Sequence, residues 1–246
     1  GYAEIAPAAF LDAAARVMVA ASTEEARPVL QGVMVGPFDM VATDGFRIHT
    51  AKIFSLKDGV KAEEEIKAAA EKFGKTIIPA RTMAEAVKLF AKSDYLKVAS
   101  TNGQWFVSDG ETTLISQLIE GNFPDWKAIV PKEHKATVEV QVQPLLAALR
   151  RVQVIQPANN VIKLAFADNA ITITGQSEET GTAEDVVECV LTGTPPPVAV
   201  NVRFFIQALD ATRRNPVRLH VNAANTPLVI EDGSGWQAIV MPMHLG

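Results

Sequence analysis

Residues 237–245 read Gln-Ala-Ile-Val-Met-Pro-Met-His-Leu, an apolar strand that runs into a Met-Pro-Met segment. Proline donates no backbone hydrogen bond, and methionine thioethers adapt to differently shaped partners, so this segment suits contact with another molecule. Taken alone, the same residues are also compatible with an ordinary terminal edge strand. The rest of the chain is needed to choose between a structural strand and a binding surface.

Two other stretches favour a binding surface. One reads Val41-Ala-Thr-Asp-Gly-Phe-Arg-Ile48, and the other reads Leu118-Ile-Glu-Gly-Asn-Phe-Pro-Asp-Trp-Lys-Ala-Ile-Val-Pro131. In this order and at this spacing, the three stretches resemble the middle and C-terminal domains of the bacterial DNA polymerase III beta subunit, the sliding clamp. The resemblance covers almost the whole chain.

The chain also repeats itself. Residues 10–16 are similar to residues 145–151, and residues 78–87 are similar to residues 200–209. Each of these segments is followed by short alternating strands with turn signals such as Asn102-Gly103. The pattern predicts an α+β fold in which a unit of strand, helix and three strands occurs four times, two units to a domain.

The predicted domains are residues 1–131 and residues 132–246, with the boundary at a charged stretch that begins at Pro131. Residues 57–75 are rich in Glu, Lys and Ala, which predicts a solvated helix inserted in the first domain. This helix is either a surface elaboration or a contact site peculiar to this chain.

Bulk composition limits the class of protein. The 246 residues are 48% hydrophobic, enough for two ordinary domains that each bury a core. Cys189 is the single cysteine, so no intramolecular disulfide can form, and we expect a reducing cytoplasm. No apolar run is long enough to span a bilayer.

The net charge of -5 is unevenly distributed. Four segments with helical periodicity, residues 7–20, 80–92, 144–155 and 202–214, hold nine basic and three acidic residues, so the rest of the chain carries -11. In the second and third segments the basic residues lie away from the apolar stripe. Such helices could attract a polyanion while the remaining surface repels it, although solvated helix faces often look the same.

Catalytic and metal-binding motifs are absent from the sequence. The four histidines lack metal-ligand spacing, and there is no phosphate-binding glycine loop or nucleophile elbow. Cys189 lies in an apolar alternation that favours a buried structural thiol. We therefore expect neither an enzyme nor a bound cofactor or metal, and a hydrolase on an unrelated α+β fold would need a polar cluster that the sequence does not reveal.

The resemblance implies a DNA clamp fold, with sheets outside and helices lining a channel for duplex DNA. The contacts implied are sequence-independent and made to phosphate, often through water. Matching of family positions gives Arg81, Arg151 and Lys132, and helix-face reasoning adds four further candidates for DNA contact: Lys88, Arg150, Arg213 and Arg214.

The resemblance also implies a pocket between the two domains for client peptides with a Gln and a Leu-Phe-like end, carried by DNA polymerase and clamp-loader subunits. The implied apolar floor is Leu30, Ile48, Ile129, Val240 and Met241, and Thr43, Gly45 and Arg47 would orient the peptide. The full set of matching positions is Arg27, Leu30, Thr43, Gly45, Phe46, Arg47, Ile48, Pro124, Ile129, Ile239, Val240, Met241, Pro242 and Met243.

Length is the main departure from the family, whose chains have three domains. This sequence fits either a natural two-domain clamp, which would need a trimer to close a six-domain ring, or the C-terminal part of a three-domain clamp. A clamp-like scaffold that binds client peptides and never encircles DNA is a third interpretation. Phe46 also stands where relatives often have a His, which puts the rim of the pocket in question.

Overall fold

A computed structural model describes residues 2–36, 38–53, 75–155 and 158–243, and the chain divides into two compact units, Gly1–Pro124 and Asp125–Gly246. The predicted inserted helix at 57–75 lies almost wholly outside the described residues. The division falls before the charged stretch on which the predicted boundary rested. That stretch is bound to the second unit, because the Asn222 side chain accepts from Lys135 N at 2.8 Å and donates to Glu133 O at 2.9 Å.

Each unit contains the predicted strand–helix–three-strand repeat twice. In the first unit the order is β1, α1, β2, β3, β4 and then β5, α2, β6, β7, β8. The strands and helices span Ala3–Ile5, Pro7–Val17, Gly32–Val35, Asp39–Thr43 and Arg47–Lys52, followed by Thr76–Pro79, Ala80–Leu89, Leu96–Thr101, Gln104–Ser108 and Thr113–Gln117.

The second unit repeats this order as β9, α3, β10, β11, β12 and β13, α4, β14, β15, β16. The elements span Ala136–Val140, Val142–Gln153, Val161–Ala167, Ala170–Ser177 and Gly181–Thr192, followed by Val198–Asn201, Val202–Asp210, Val217–Val221, Leu228–Glu231 and Trp236–Val240. The predicted α+β fold of repeated units is confirmed.

The two repeats of a unit exchange their leading strands. In the first unit β1 pairs with β6 of the other repeat, and β5 pairs with β2, which gives the sheet orders β1-β6-β7-β8 and β5-β2-β3-β4. The second unit does the same, since β9 pairs with β14 and β13 pairs with β10. Neither repeat can complete its sheet without the other, so the unit is expected to fold as a whole.

The long strand β12 joins the two sheets of the second unit. Residues 181–188 pair with β11, and residues 189–192 pair with β9. In each unit a backbone hydrogen bond closes the other side. Ile119 N donates to Ile77 O in the first unit and Met243 N donates to Ala199 O in the second, each at 2.8 Å. In each case the donor follows the last strand and the acceptor lies in the leading strand of the second repeat.

Two helices lie side by side in each unit and bury their apolar faces against the sheets. The predicted face Leu145, Leu149 and Val152 of α3 is confirmed, with each residue at most 1% exposed. On α2, Met83 and Phe90 are fully buried as predicted, while Ala86 is more buried than Val87. Burial of one Leu or Phe side chain contributes roughly 1.5–3 kcal/mol, so these faces hold the helices in place.

Three of the predicted helices are shorter than their periodicity suggested. Helix α2 ends at Leu89 and α4 ends at Asp210, which leaves Lys92, Arg213 and Arg214 outside the helices. The four α-helices of the described residues carry six basic and three acidic side chains, a net charge of +3 in place of the predicted +6. Charged residues flanking an apolar stripe do not mark a helix end, so the periodicity extended the predicted helices beyond their true ends.

Arg16 contradicts the expectation that the basic helix residues stay clear of the core. Its side chain is 4% exposed and lies 3.6 Å from the Asp12 carboxylate, one turn earlier on α1. Next to it, His49 of β4 is fully buried and its Nδ1 lies 2.9 Å from Arg16 O. A polar cluster thus fixes the end of α1 to the adjacent strand.

Among the described residues, no helix combines the length and hydropathy needed to cross a membrane.

Replacing His49 by Gln should make the free energy of unfolding fall less steeply as the pH is lowered into the acid range. Burial, and then the positive charges of Arg47 and Arg16, lower the pKa of His49 to about 4, whereas the unfolded chain takes up the proton near 6.5. The neutral ring therefore stabilises the fold fully above about pH 6.5, and the contribution, roughly 3 kcal/mol, is lost as the pH falls towards 4. Urea unfolding of both proteins across this range checks the prediction, and parallel profiles would contradict it.

Candidate peptide-binding and nucleic-acid interfaces

The turn between β3 and β4 is held by Asp44. Its Oδ1 accepts from the backbone N–H groups of Phe46 and Arg47 at 2.9 and 3.0 Å, and its Oδ2 lies 3.1 Å from Arg47 Nε. The Thr43 hydroxyl donates to Arg47 O at 2.6 Å and accepts from Gly45 N at 3.0 Å. A short acidic side chain that satisfies successive backbone donors makes a rigid turn.

Arg47 points into its own unit. Its Nη2 donates to Val19 O at 2.7 Å, and the residue is 6% exposed. Burial lowers the pKa of the guanidinium, and the nearby Asp44 carboxylate opposes that shift. Thr43 is equally buried, at 4% exposed. Both residues therefore shape the turn from beneath, and their polar groups are already engaged within the protein.

The exposed part of the turn is Gly45 and Phe46. Gly45 has φ of +93°, and a Cβ built on it would lie 3.2 Å from Arg27 Nη1, so a side chain here would be strained and would crowd Arg27. Phe46 is 53% exposed although both flanking residues are fixed. Arg27 is itself half exposed and pairs with Glu24 at 3.0 Å. The turn thus exposes an aromatic ring, and its glycine lies against the Arg27 guanidinium.

The predicted apolar floor divides into buried and exposed members. In the first unit Leu30 and Ile48 are 6% and 3% exposed, and Pro124 is exposed. In the second unit, Ile239 and Val240 are fully buried in β16, while Ile129 is 41% exposed. Beyond β16 the structure describes Met241, Pro242 and Met243, each half-buried.

Three predicted DNA-contact residues, Arg81, Lys88 and Lys132, are exposed. Arg81 lies in the first turn of α2 and Lys88 in its last, where Lys88 Nζ is 2.9 Å from Glu85 Oε1. Both ends of the exposed face of α2 therefore carry a cation. An exposed pair such as Lys88 with Glu85 adds little to stability.

Arg150 and Arg151, in the last turn of α3, each touch a carboxylate. Arg150 Nη2 lies 2.9 Å from Asp210 Oδ1 of α4, and Arg151 Nε lies 2.6 Å from Asp185 Oδ2 of β12. The bond to Arg151 lowers the pKa of Asp185, and the bond to Asp185 raises the pKa of Arg151. The sequence pattern missed both carboxylates, because each is contributed by an element distant along the chain.

Arg213 and Arg214 follow α4 and do not belong to its face. Arg213 Nη1 donates to Thr212 O at 3.3 Å, near the end of the helix, and Arg213 N donates to Asp232 Oδ2 at 2.9 Å. Arg214 Nη1 donates to Gly233 O at 2.9 Å. Both arginines are exposed, but they connect the end of α4 to the turn after β15.

The remaining candidates for metal binding or reactivity are the His, Cys, Asp and Glu side chains. In the part of the chain that the structure describes, no group of three or more His, Cys, Asp or Glu side chains is arranged to hold a metal ion. Cys189 is half-buried, and burial raises the pKa of its thiol, which disfavours the reactive thiolate.

Solved structures of beta clamps have the same fold as this chain. The DNA polymerase sliding clamp of Pseudomonas aeruginosa superimposes with a TM-score of 0.88 at 21% identity, covering 99% of this chain and 66% of that one. The beta subunit of DNA polymerase III from Thermotoga maritima gives 0.86 at 21% identity, covering 100% of this chain and 66% of that one.

Sequence comparison agrees. The beta sliding clamp of Synechococcus elongatus is 25% identical over 98% of this chain and 65% of its own length, so this chain spans just under two thirds of that relative. The family model of the DNA polymerase III beta subunit central domain matches residues 4–125, and that of its C-terminal domain matches residues 127–244. These two matches follow each other in the family's own order and leave almost no residue of the chain outside them, so the chain belongs to the DNA polymerase III beta subunit family.

Proposed function

We propose that this chain serves as a sliding clamp, which encircles duplex DNA and tethers a DNA polymerase and other clients without catalysing a reaction. The match to two successive beta-subunit domains is the observation that carries the proposal. Such a role requires a basic surface for DNA and an ordered surface for a client peptide. The helices carry exposed cations, and the rigid turn at residues 43–48 carries an exposed aromatic ring.

Client binding would use two surfaces, the Thr43–Ile48 turn of the first unit and residues 241–243 of the second. The turn is preorganised by Asp44, so little conformational entropy is lost when a peptide docks on Phe46 and Gly45. Adaptable thioethers of Met241 and Met243 suit several apolar client side chains. Each client Leu or Phe side chain buried there would contribute roughly 1.5–3 kcal/mol.

DNA binding would be sequence-independent and dominated by phosphate contacts. The helix candidates with exposed cationic groups are Arg81, Lys88, Arg150 and Arg151. Lys132, which is also exposed, lies shortly before β9 in the sequence. The carboxylates that pair with Arg150 and Arg151 reduce the positive charge offered to DNA. They favour one rival function, a scaffold that binds client peptides and never encircles DNA. Loading on circular DNA separates the two roles, since only a closed ring is released when the circle is cut.

Assembly would use the sheet edges. Strand β8 is the terminal strand of its described sheet and carries Ile115, which is 54% exposed. In the second unit β12 carries Val186, which is 57% exposed, in the segment that pairs with β11. Exposed apolar edges are aggregation liabilities unless a partner covers them, and head-to-tail pairing of edges closes a ring when its rotation permits.

Replacing Met241 by Asp should abolish binding of a peptide with a Gln and a Leu-Phe end, because a carboxylate in an apolar contact is costly to desolvate. Calorimetric titration measures the loss. Val190→Asp, which introduces the same charge at a 63% exposed position of β12, is the matched control and should bind normally. Unchanged affinity in Met241→Asp would remove this segment from the client site.

Reversing Arg150 and Arg151 to Glu should reduce the amount of protein retained on nicked circular plasmid after incubation with a bacterial clamp loader, and should leave peptide binding intact. Gel filtration before and after linearisation measures retention. Arg218→Glu is the control for charge, since Arg218 is a 54% exposed residue that alternates away from the buried Val217 and Leu219 of β14. Equal retention of all variants, or retention that survives linearisation, would contradict the proposal.

If two domains make the whole subunit, light scattering across a dilution series should give a mass near three times 26.4 kDa, because the resemblance implies a ring of six domains. Ile115→Lys should lower that mass by placing a charge in the edge contact. A monomer at every concentration would overturn ring formation by this chain and favour either the C-terminal part of a three-domain clamp or the scaffold.

A further inference from the structure

Asp185 occupies a position where the fold calls for an apolar residue. Along β12, alternate residues face the helix layer, and the neighbour Val187 is 5% exposed. Across the sheet Asp185 pairs with Ile173, which is fully buried. A carboxylate on this face is costly to desolvate, and its side chain is 20% exposed. Such a local violation needs a compensating role.

Asp210 is also badly placed for its own helix. It is the last residue of α4, where the helix dipole presents its negative end and disfavours an anion. Its carboxylate is 2.9 Å from Arg150 of the neighbouring helix. The dipole of α3, in contrast, favours cations in its last turn, so Arg150 and Arg151 would be comfortable there without either carboxylate.

The two pairs leave the arginines accessible. Arg150 and Arg151 are 54% and 63% exposed, so each guanidinium is covered on the protein side and open on the other. A phosphate that approaches either arginine must compete with the carboxylate for its N–H donors and is repelled by the carboxylate's charge. Exposed pairs of this kind add little to stability, which leaves the effect on an incoming anion as their main consequence.

We propose that Asp185 and Asp210 weaken the hold of Arg151 and Arg150 on the DNA backbone, so that the second unit attracts duplex DNA without gripping it. This inference rests on the proposed DNA-binding function. A clamp must move along the duplex, and a phosphate contact that is partly satisfied within the protein is exchanged at low cost between neighbouring phosphates. The carboxylates thus set how tightly the interface binds and how strongly salt weakens it.

Asp185→Asn and Asp210→Asn in the full chain should each tighten binding to a short labelled duplex several-fold, measured by fluorescence anisotropy at a series of salt concentrations. Release of one arginine for phosphate contact should steepen the plot of log K against log salt by up to about 0.9, and the double variant by up to about twice that. Glu188→Gln is the matched control, because Glu188 is exposed on the opposite side of the same strand and changes the charge equally.

A double-mutant cycle tests whether the effect passes through the arginine. In an Arg151→Gln background, Asp185→Asn should tighten binding no more than Glu188→Gln does, and the same holds for Asp210→Asn with Arg150→Gln. Asparagine variants that bind like the control, with wild-type binding intact, would overturn this inference and leave the proposed function standing. Failure of every variant and of the wild type to bind the short duplex would also overturn this inference, while the proposed function is decided separately by retention on circular DNA.

Discussion

The exchange of leading strands between repeats is the constraint on which the rest of the structure depends. Because β1 bonds to β6 and β5 bonds to β2, the backbone groups of one repeat are satisfied by the other, and the same holds for β9 with β14 and β13 with β10. The helices then have one place to lie, side by side across the joined sheets. The exposed cations and the Asp44 turn take their positions from this pairing.

Periodicity and turn chemistry were sufficient to predict the architecture. The alternating strands, the Asn102-Gly103 turn with both residues at positive φ, and the apolar face of α3 all follow from local rules that agree with the fold. The helix ends were less predictable, because Arg213 and Arg214 continue the polar pattern of α4 while their bonds to the turn after β15 take them off the helix. Burial of Arg16 depends on packing against β4, which the sequence does not reveal.

The sequence proposes residues for the candidate sites, but it does not predict the contacts that those residues make within the protein. Resemblance gave Arg47 as a residue that orients a peptide, but its bonds to Asp44 and Val19 make it a support of the turn. Helix-face reasoning gave Arg150 as a DNA contact and the resemblance gave Arg151, but neither predicted that each meets a carboxylate. Those partners lie tens of residues away along the chain, at Asp210 and Asp185, and pairings over such separations are decided by tertiary structure.

The hydrogen bonds of Ile119 with Ile77 and of Met243 with Ala199 are equivalent joints in the two units, and each fixes the segment that follows the last strand. In the first unit the segment beyond the joint serves as a bridge, since the chain continues through it into Asp125 and the second unit. In the second unit the equivalent bond is made by Met243, and it holds the preceding residues Met241 and Pro242 at a fixed point of the surface. A partner that docked on Met241 would therefore meet a backbone already held in place by the fold, and little conformational entropy would be lost in binding.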